Sequence, residues 1–248
     1  MVAQWILSGS LILGFGAFVH LIENRIPLEQ VNRKRDIVFD ILFITLSSLM
    51  VAGMTIVLLD EFVMTWLNEN LQFQQFILTL PLYLRLTLAL ILGDLGYYVA
   101  HRMMHTAPLW RTHKFHHSIR EIYWFSGLRT SAMNSLIIRI PYLIALCAFG
   151  ITQQEMAVVA IGLAAVNFWV HANANISLGR LNYLFITPAF HRIHHSMEAR
   201  AEGTNFGNIL SCWDYLFGTA IQVEETLVVS KKGFTIEREE VARQLIGV

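Results

Sequence analysis

The chain has 248 residues, of which 55% are hydrophobic and only 15% are charged, and its mean hydropathy is +0.50. Water-soluble domains carry about 25% charged residues, so this composition excludes an ordinary soluble surface and predicts an integral membrane protein. The 18 basic and 18 acidic residues cancel, which gives no support to nucleic-acid binding. The two cysteines, Cys147 and Cys212, lie in apolar stretches, and a disulfide scaffold is therefore excluded.

Four stretches with few or no charged residues are long enough to cross a bilayer, which takes about 20 helical residues. They comprise residues 1–22, 41–59, 76–100 and 140–179. The first lacks the basic start and the cleavage site of a signal peptide, so we expect a retained transmembrane helix. The last is too long for one crossing and predicts a hairpin of two helices that turns near residues 150–152. The five prolines are expected near the ends of such segments, because proline interrupts a helix.

The basic residues predict the orientation in the membrane. They follow the first, third and last of these stretches, whereas the loop 60–75 and the turn 150–155 contain no lysine or arginine. By the positive-inside rule the chain starts outside, crosses five times and ends in the cytoplasm. A re-entrant hairpin would lower the count without changing the sidedness. Residues 180–248 predict a cytoplasmic cap of short helices, so we expect a single-domain (1–248), all-α integral membrane protein with four to five transmembrane helices.

Nine of the ten histidines fall into three short clusters and one single position, His171. Positions three or four residues apart share one face of a helix, so each HxxHH cluster is expected to present three imidazoles to one side. Eight or nine neutral imidazoles could hold two metal ions and leave coordination positions open, and we expect this dimetal site on the cytoplasmic side. His20 stands alone in the first stretch and is interpreted as a packing residue. The clustered residues are His101 and His105; His113, His116 and His117; His171; and His191, His194 and His195.

Asp94 lies seven residues before His101, on the same stripe of a helix. Its carboxylate could orient a metal-binding imidazole through the second ring nitrogen. Alternatively, it could be buried and bound by a tyrosine or by backbone groups, and the sequence leaves both interpretations open. Motifs for nucleotide or flavin binding, zinc proteases and serine hydrolases are missing from the sequence. Electrons for a redox reaction are therefore expected to come from a separate protein.

The order HxxxH, HxxHH, a single histidine and a second HxxHH on an apolar chain resembles the fatty-acid hydroxylase and sterol desaturase superfamily of membrane di-iron oxygenases. Three further segments carry the resemblance. Residues 94–102 are similar to the segment that leads into the first histidine box of the family, and residues 205–219 are similar to its closing motif. Residues 127–131 resemble a Leu-Arg segment of bacterial and alkylglycerol-monooxygenase-like members. The resemblance is strongest over residues 85–220.

The resemblance implies a site with two iron ions, for which zinc can substitute in preparations. It assigns catalysis, through the metals, to the eight histidines of the boxes and adds His171 as a ninth ligand. Some family members carry another histidine where this chain has Asn173 and Asn175, so an asparagine oxygen or water is an alternative ligand. Trp213 and Phe217 are expected to pack the cap against the metal-binding helices, with Asp214 orienting a histidine. The implied ligands of the boxes are His101, His105, His113, His116, His117, His191, His194 and His195.

The implied activity is hydroxylation or desaturation of a lipid that enters from the bilayer. It uses O2, and electrons from a ferredoxin- or cytochrome-type donor protein with its reductase. Two other functions remain open at this stage. A membrane zinc hydrolase of a lipid ester or amide would need a carboxylate base beside the metal, and the sequence offers no convincing one. A metal transporter or sensor would place its ligands near mid-membrane on broken helices, whereas these histidines lie in polar, arginine-rich stretches at the ends of spans.

Overall fold

The computed structural model describes residues 2–34, 73–198, 201–221, 232–236 and 240–248, together with four single positions between residues 37 and 45. Within these residues the chain is helical, which confirms the predicted all-α class, and β-type pairing is limited to two isolated bridges. Two 3₁₀ turns, Ser126–Leu128 and Gly179–Tyr183, join longer elements. The α-helices whose bounds lie within the described residues are α1 (Val2–Arg25), α2 (Phe73–Leu78), α3 (Leu82–Met104), α4 (Trp110–His117), α5 (Ala132–Ala148), α6 (Gln153–Val170), α7 (Pro188–His194), α8 (Cys212–Leu216) and α9 (Val241–Ile246).

Two of the described helices, α3 and α6, are long and apolar enough to cross a membrane. Large apolar side chains on both are exposed, among them Leu92 and Val99 on α3 and Val158 on α6, as expected of surfaces that face lipid. The first predicted span coincides with α1, whereas the third is divided before Pro81 into α2 and α3. The predicted span at residues 41–59 lies almost entirely outside the described residues.

Helices α3 and α5 approach each other closely because α3 presents glycine where they touch. A Cβ on Gly93 would lie 2.5 Å from Cδ1 of Tyr142, and a Cβ on Gly96 would lie 2.6 Å from Cβ of Pro141. Small residues of this kind permit tight packing between membrane helices. The close contact positions the end of α3 beside the start of α5.

The start of α5 and the place of its proline differ from the sequence prediction. The helix begins at Ala132 and not near residue 140, because the hydroxyl of Ser131 accepts a hydrogen bond from the N–H of Asn134 and caps it. Pro141 therefore lies inside α5, and the expectation that it marks a segment end is wrong. Proline within an apolar helix is tolerated where neighbouring helices compensate for the lost hydrogen bond, and here α3 packs against it.

The turn between α5 and α6 confirms the prediction for residues 150–152. Gly150 adopts a φ of +61°, a conformation that glycine enters without strain. Thr152 and Glu155 then form a capping box that starts α6. The guanidinium of Arg85 donates hydrogen bonds to the carbonyl oxygens of Phe149 (3.1 Å) and Gly150 (2.7 Å). The charge of Arg85 thus satisfies backbone groups that the end of α5 leaves without partners.

Helices α5 and α6 pack on different partners after this turn. Helix α5 lies along α3, whereas α6 packs on α1 through a core that includes Val19 and Phe168. The two helices of the predicted hairpin therefore leave a cavity of about 500 Å³ bordered by both of them. One end of the bundle contains the start of α5 and the residues that follow α3 and α6. The histidines come together at this end.

Candidate metal centre

Nine histidines come together at this end of the bundle. His101 and His105 lie at the end of α3, His171 is the residue after α6, and the two HxxHH clusters occupy α4 and α7 with its C-terminal cap. Eight of the nine are buried, and His105 is partly buried. Every histidine that the sequence selected as a candidate ligand is therefore part of one site, and His20 on α1 belongs to neither of the groups described next.

The ring nitrogens form two groups, within each of which the candidate ligand atoms lie within 4.8 Å of one another. Each HxxHH cluster is therefore divided between the two groups, and the expectation that its three imidazoles lie on one side of the helix is wrong. The first and last histidines of a cluster, four residues apart, enter one group and the middle histidine enters the other. This division follows from the helix, because adjacent residues project about 100° apart. Group I contains His101, His105, His113, His117 and His194, and group II contains His116, His171, His191 and His195.

Hydrogen bonds at the outer ring nitrogens fix the tautomers. Four Nδ1 atoms lie within hydrogen-bond distance of a backbone carbonyl oxygen, and a carbonyl can only accept. Each of these Nδ1 atoms therefore carries the hydrogen, and Nε2 presents its lone pair. Nδ1 of His113 makes the same kind of contact with Oδ1 of Asn134. The four pairs are His101 with Phe206 (2.7 Å), His116 with Arg129 (3.1 Å), His171 with Asn167 (2.9 Å) and His194 with Thr204 (2.8 Å).

Lone pairs consequently face each other inside both groups. In group I, Nε2 of His101 lies 3.0 Å from Nε2 of His113. In group II, Nε2 of His116 lies 3.3 Å from Nε2 of His171. Since all four rings carry their hydrogen on Nδ1, neither pair can form a hydrogen bond, and the two lone pairs repel. A cation that accepts both lone pairs removes this repulsion, so the donor set of each group fits a metal ion that prefers imidazole nitrogen.

Burial keeps these imidazoles neutral. It is the largest cause that lowers the pKa of His105 and the pKa of His116 to about 4 each. Burial, and then the neighbouring histidines, hold the pKa of His113 and the pKa of His117 well below the ordinary value. The neutral imidazole is the form that binds a metal, so neither group has to lose a proton at neutral pH before binding one.

Residues 127–131 shape group II. A Cβ on Gly127 would lie 2.3 Å from Cγ and Nδ1 of His171, so only glycine leaves room for this ring. The carbonyl oxygen of Arg129 accepts the hydrogen of His116 Nδ1, and Ser131 caps α5. The Leu-Arg segment, which the sequence marked only by its resemblance, therefore holds two histidines of group II in place.

Asp94 binds the closing segment of the cap, and none of its described partners is a histidine. Its carboxylate accepts hydrogen bonds from the hydroxyl of Tyr142 (2.6 Å) and the indole N–H of Trp213 (3.0 Å). It also accepts them from the backbone N–H groups of Ile209 (2.9 Å) and Leu210 (3.0 Å). Of the two interpretations that the sequence left open, the structure has the buried carboxylate bound by a tyrosine and by backbone. Trp213 connects the cap to α3 through this contact.

Asp214 supports His101 through the backbone. Its carboxylate accepts hydrogen bonds from the N–H groups of Phe206 (2.7 Å) and Gly207 (2.8 Å) and from the hydroxyl of Thr219 (2.7 Å). The carbonyl oxygen of the same Phe206 accepts the Nδ1 hydrogen of His101. The expected orientation of a histidine by Asp214 is therefore indirect, with one residue between the two side chains.

Arg192 lies inside the last histidine box, and no pattern in the sequence predicts its role at the site. Its guanidinium donates to the carboxylate of Glu29 (2.5 Å), to the carbonyl oxygen of Ile122 (3.2 Å) and to Oδ1 of Asn173 (3.2 Å). The amide N–H of Asn173 donates to the carbonyl oxygen of Glu29 (2.7 Å). Asn173, which the sequence considered as an alternative ligand, thus uses both polar atoms to attach the loop after α1 to the site. Glu29 is far from Asn173 and Arg192 along the chain, so the sequence could not predict that these residues are in contact.

A family model for fatty acid hydroxylase matches residues 86–219, which is more than half of the chain and includes all nine histidines of the two groups. The chain therefore belongs to the fatty acid hydroxylase family, as its resemblance predicted. No solved structure matches it significantly.

Relatives with known names are similar over the same region. The chain is 31% identical over 140 residues to ornithine lipid hydroxylase OlsE of Rhizobium tropici, a match that covers 56% of this chain and 42% of that protein. It is 32% identical over 136 residues to alkylglycerol monooxygenase of Homo sapiens, covering 54% of this chain and 30% of that protein. It is 28% identical over 137 residues to methylsterol monooxygenase 1 of Rattus norvegicus, a match that covers 53% of this chain and 45% of that protein. The match thus spans less than half the length of each relative.

Proposed function

We propose that this protein is a membrane-bound, non-haem di-iron oxidoreductase that hydroxylates a lipid, with O2 and with electrons supplied by a separate protein. Desaturation of the lipid is a variant of the same chemistry. The observation that carries the proposal is the pair of imidazole groups with facing lone pairs, inside the segment that matches the fatty acid hydroxylase family. The names of the relatives, which are lipid hydroxylases and monooxygenases, support a lipid as the substrate class.

We assign one iron ion to each group, with the five histidines of group I and the four of group II as ligands. Bound iron supplies the redox chemistry with O2 that oxidation of an unactivated C–H bond requires. The protein contributes neutral rings whose tautomers are fixed by carbonyl partners. Because both groups consist of imidazoles, neither supplies the carboxylate base that a zinc hydrolase would need.

The cavity between α5 and α6 supports access of a lipid to both groups. Its lining includes Tyr97, whose ring lies 5.4 Å from that of His101 in group I. It also includes Gly127, beside which the ring of His171 in group II leaves no room for a Cβ. An apolar chain in this cavity would bring a C–H bond to the metals and exclude the water that would otherwise compete for the oxidant.

The membrane topology belongs to the same proposal. We propose four to five crossings, formed by α1, the segment at residues 41–59, α3 and the hairpin of α5 and α6, with the dimetal site on the cytoplasmic side. The support is the position of the arginines and lysines, which follow α3 and α6 on the side of the histidines. The electron donor, a ferredoxin- or cytochrome-type protein with its reductase, would then approach from the cytoplasm.

Two measurements test the proposed function. Protein purified without oxygen is expected to contain about two iron ions per chain, or zinc where overexpression has replaced iron. With membrane lipids, an electron donor and labelled O2, we expect labelled hydroxyl lipid; an unlabelled alkene that depends on O2 identifies desaturation. Turnover that does not require O2 would favour the hydrolase.

Variants in each group provide the matching test. His116→Ala in group II and His194→Ala in group I are each expected to abolish turnover while the protein remains in the membrane. His20→Ala, outside both groups, is the control and should retain activity. Near-normal turnover in either of the first two variants contradicts the ligand assignment.

A further inference from the structure

The cavity between α5 and α6 has one charged residue among its described lining residues, Arg139. Its neighbours in the lining include Ile138, Leu143 and Leu163, which are apolar. The side chain of Arg139 is exposed. Among the residues that the structure describes, no carboxylate forms an ion pair with it. A positive charge at this place is therefore available to a molecule that enters the cavity.

Other arginines near the helices use their charge within the protein. Arg85 donates to the carbonyl oxygens at the end of α5, Arg129 pairs with Asp40, and Arg192 pairs with Glu29. An ionised side chain within an apolar membrane helix is costly and usually serves a function. Arg139 differs from these three because no described residue accepts a hydrogen bond from its guanidinium or forms an ion pair with it, which leaves its charge available to a partner from outside the chain.

The position of Arg139 connects it with the metal centre. It lies five residues after Asn134, whose side chain contacts His113 of group I; this is about 7.5 Å along a helix axis. The same cavity reaches Tyr97 beside His101 and Gly127 beside His171. One bound molecule could therefore contact Arg139 and extend to both groups.

We infer that the cavity takes a lipid whose polar end carries an oxyanion, a phosphate or a carboxylate, and that Arg139 binds this group. The planar guanidinium suits such a group because it can donate two parallel hydrogen bonds to two oxygen atoms. The hydroxyls of Thr130 and Ser135 in the same lining share one hydrogen bond (2.7 Å), and the hydroxyl that accepts it has its own hydrogen as an additional donor. The inference deepens the proposed function and rests on it for the oxidation of this lipid, whereas binding is a separate step.

The test compares two probes that differ only at the polar end. Binding of oleoyl lysophosphatidate and of neutral monoolein is measured on the full chain in maltoside detergent, without O2. We expect the wild type to bind the phosphate-bearing probe at least about tenfold more tightly, the factor expected of a charge-assisted hydrogen bond. Arg139→Gln should abolish this preference, and Arg139→Lys should keep part of it. Arg180→Gln removes an exposed arginine outside the cavity lining, so the preference should remain.

Several results would overturn the inference. Equal affinity of the wild type for both probes, or an unchanged preference in Arg139→Gln, means that Arg139 does not bind the oxyanion. Displacement of the lipid probe by an equal concentration of inorganic phosphate means that the site takes free anions and not a lipid. Metal content and melting temperature of the variants are measured in parallel, and Arg139→Lys keeps the test decisive where Arg139→Gln does not fold.

The outcome separates this inference from the proposed function. A preference that depends on Arg139, together with no labelled product from any lipid, supports the anion site and contradicts the oxygenase. Labelled product formed equally from both probes, with Arg139→Gln indistinguishable from the wild type, supports the oxygenase and contradicts the anion site.

Discussion

Substitution of Gly127 by alanine tests the division of the histidines into two groups. The added Cβ would lie 2.3 Å from Cγ and Nδ1 of His171, whereas ordinary contact begins at 3.4 Å. The ring of His171 must therefore retreat by about 1.1 Å, the difference between these two distances. Gly127 does not adopt a positive φ, so the backbone accepts alanine and the ring bears the displacement.

The displacement is large compared with the tolerance of a metal site. Metal–nitrogen distances are held to within about 0.2 Å, so His171 would no longer serve as a ligand of group II. Group I contains no atom of His171 and should keep its metal. We expect the metal content of Gly127→Ala to fall from about two ions per chain to about one, with a loss of turnover of about 100-fold or more.

Metal analysis of the purified variant, together with turnover on labelled O2, provides the assay. Gly162→Ala is the matched control, because a Cβ on Gly162 in α6 would have no atom within 4 Å. It should retain both metals and full turnover, with a gain in helix stability of up to about 1 kcal/mol. Two metals and wild-type turnover in Gly127→Ala would show that His171 is not a ligand. Loss of both metals would show that the two groups are not independent.

Two further predictions concern the support and the protonation of the rings. Asn134→Ala removes the acceptor at Nδ1 of His113 and should weaken metal binding at group I about 10- to 100-fold, as measured in a competitive chelator titration. Asn134→Asp keeps an acceptor and is the control. Equal metal affinities of the two variants would refute this role of Asn134. In the folded, metal-free protein the pKa of His105 and the pKa of His116 are about 4, whereas the pKa of histidine in an unfolded chain is about 6.5. Between these two pH values the unfolded chain binds more protons than the folded protein, so a fall in pH favours unfolding. Chelated protein should therefore melt at a lower temperature at pH 5 than at pH 7, and an unchanged melting temperature would contradict the burial of neutral rings.

Local signals in the sequence were sufficient for several features. The low charge content and long apolar stretches predict membrane helices, because the surface of an apolar helix has to be covered by lipid or protein whatever the rest of the fold. Gly150, Thr152 and Glu155 mark the turn between α5 and α6, since a positive φ and a capping box depend only on neighbouring residues. The spacing of the histidine boxes likewise indicated eight of the nine histidines of the two groups, and the family resemblance added His171. The start of α5 was missed because the cap at Ser131 precedes a stretch that is less apolar than the span.

Tertiary structure decided which histidines of different helices share a group and which partners hold each ring in place. His116 and His117 are neighbours in the chain, but they enter different groups, and only the positions of α3, α6 and α7 determine which partners each ring meets. The carbonyl that fixes His101 belongs to Phe206, 105 residues away. Every residue carries a backbone carbonyl, so the sequence cannot indicate which of them will accept from a given ring. Asp94 binds backbone N–H groups of the cap for the same reason: packing selects among backbone groups that are chemically alike.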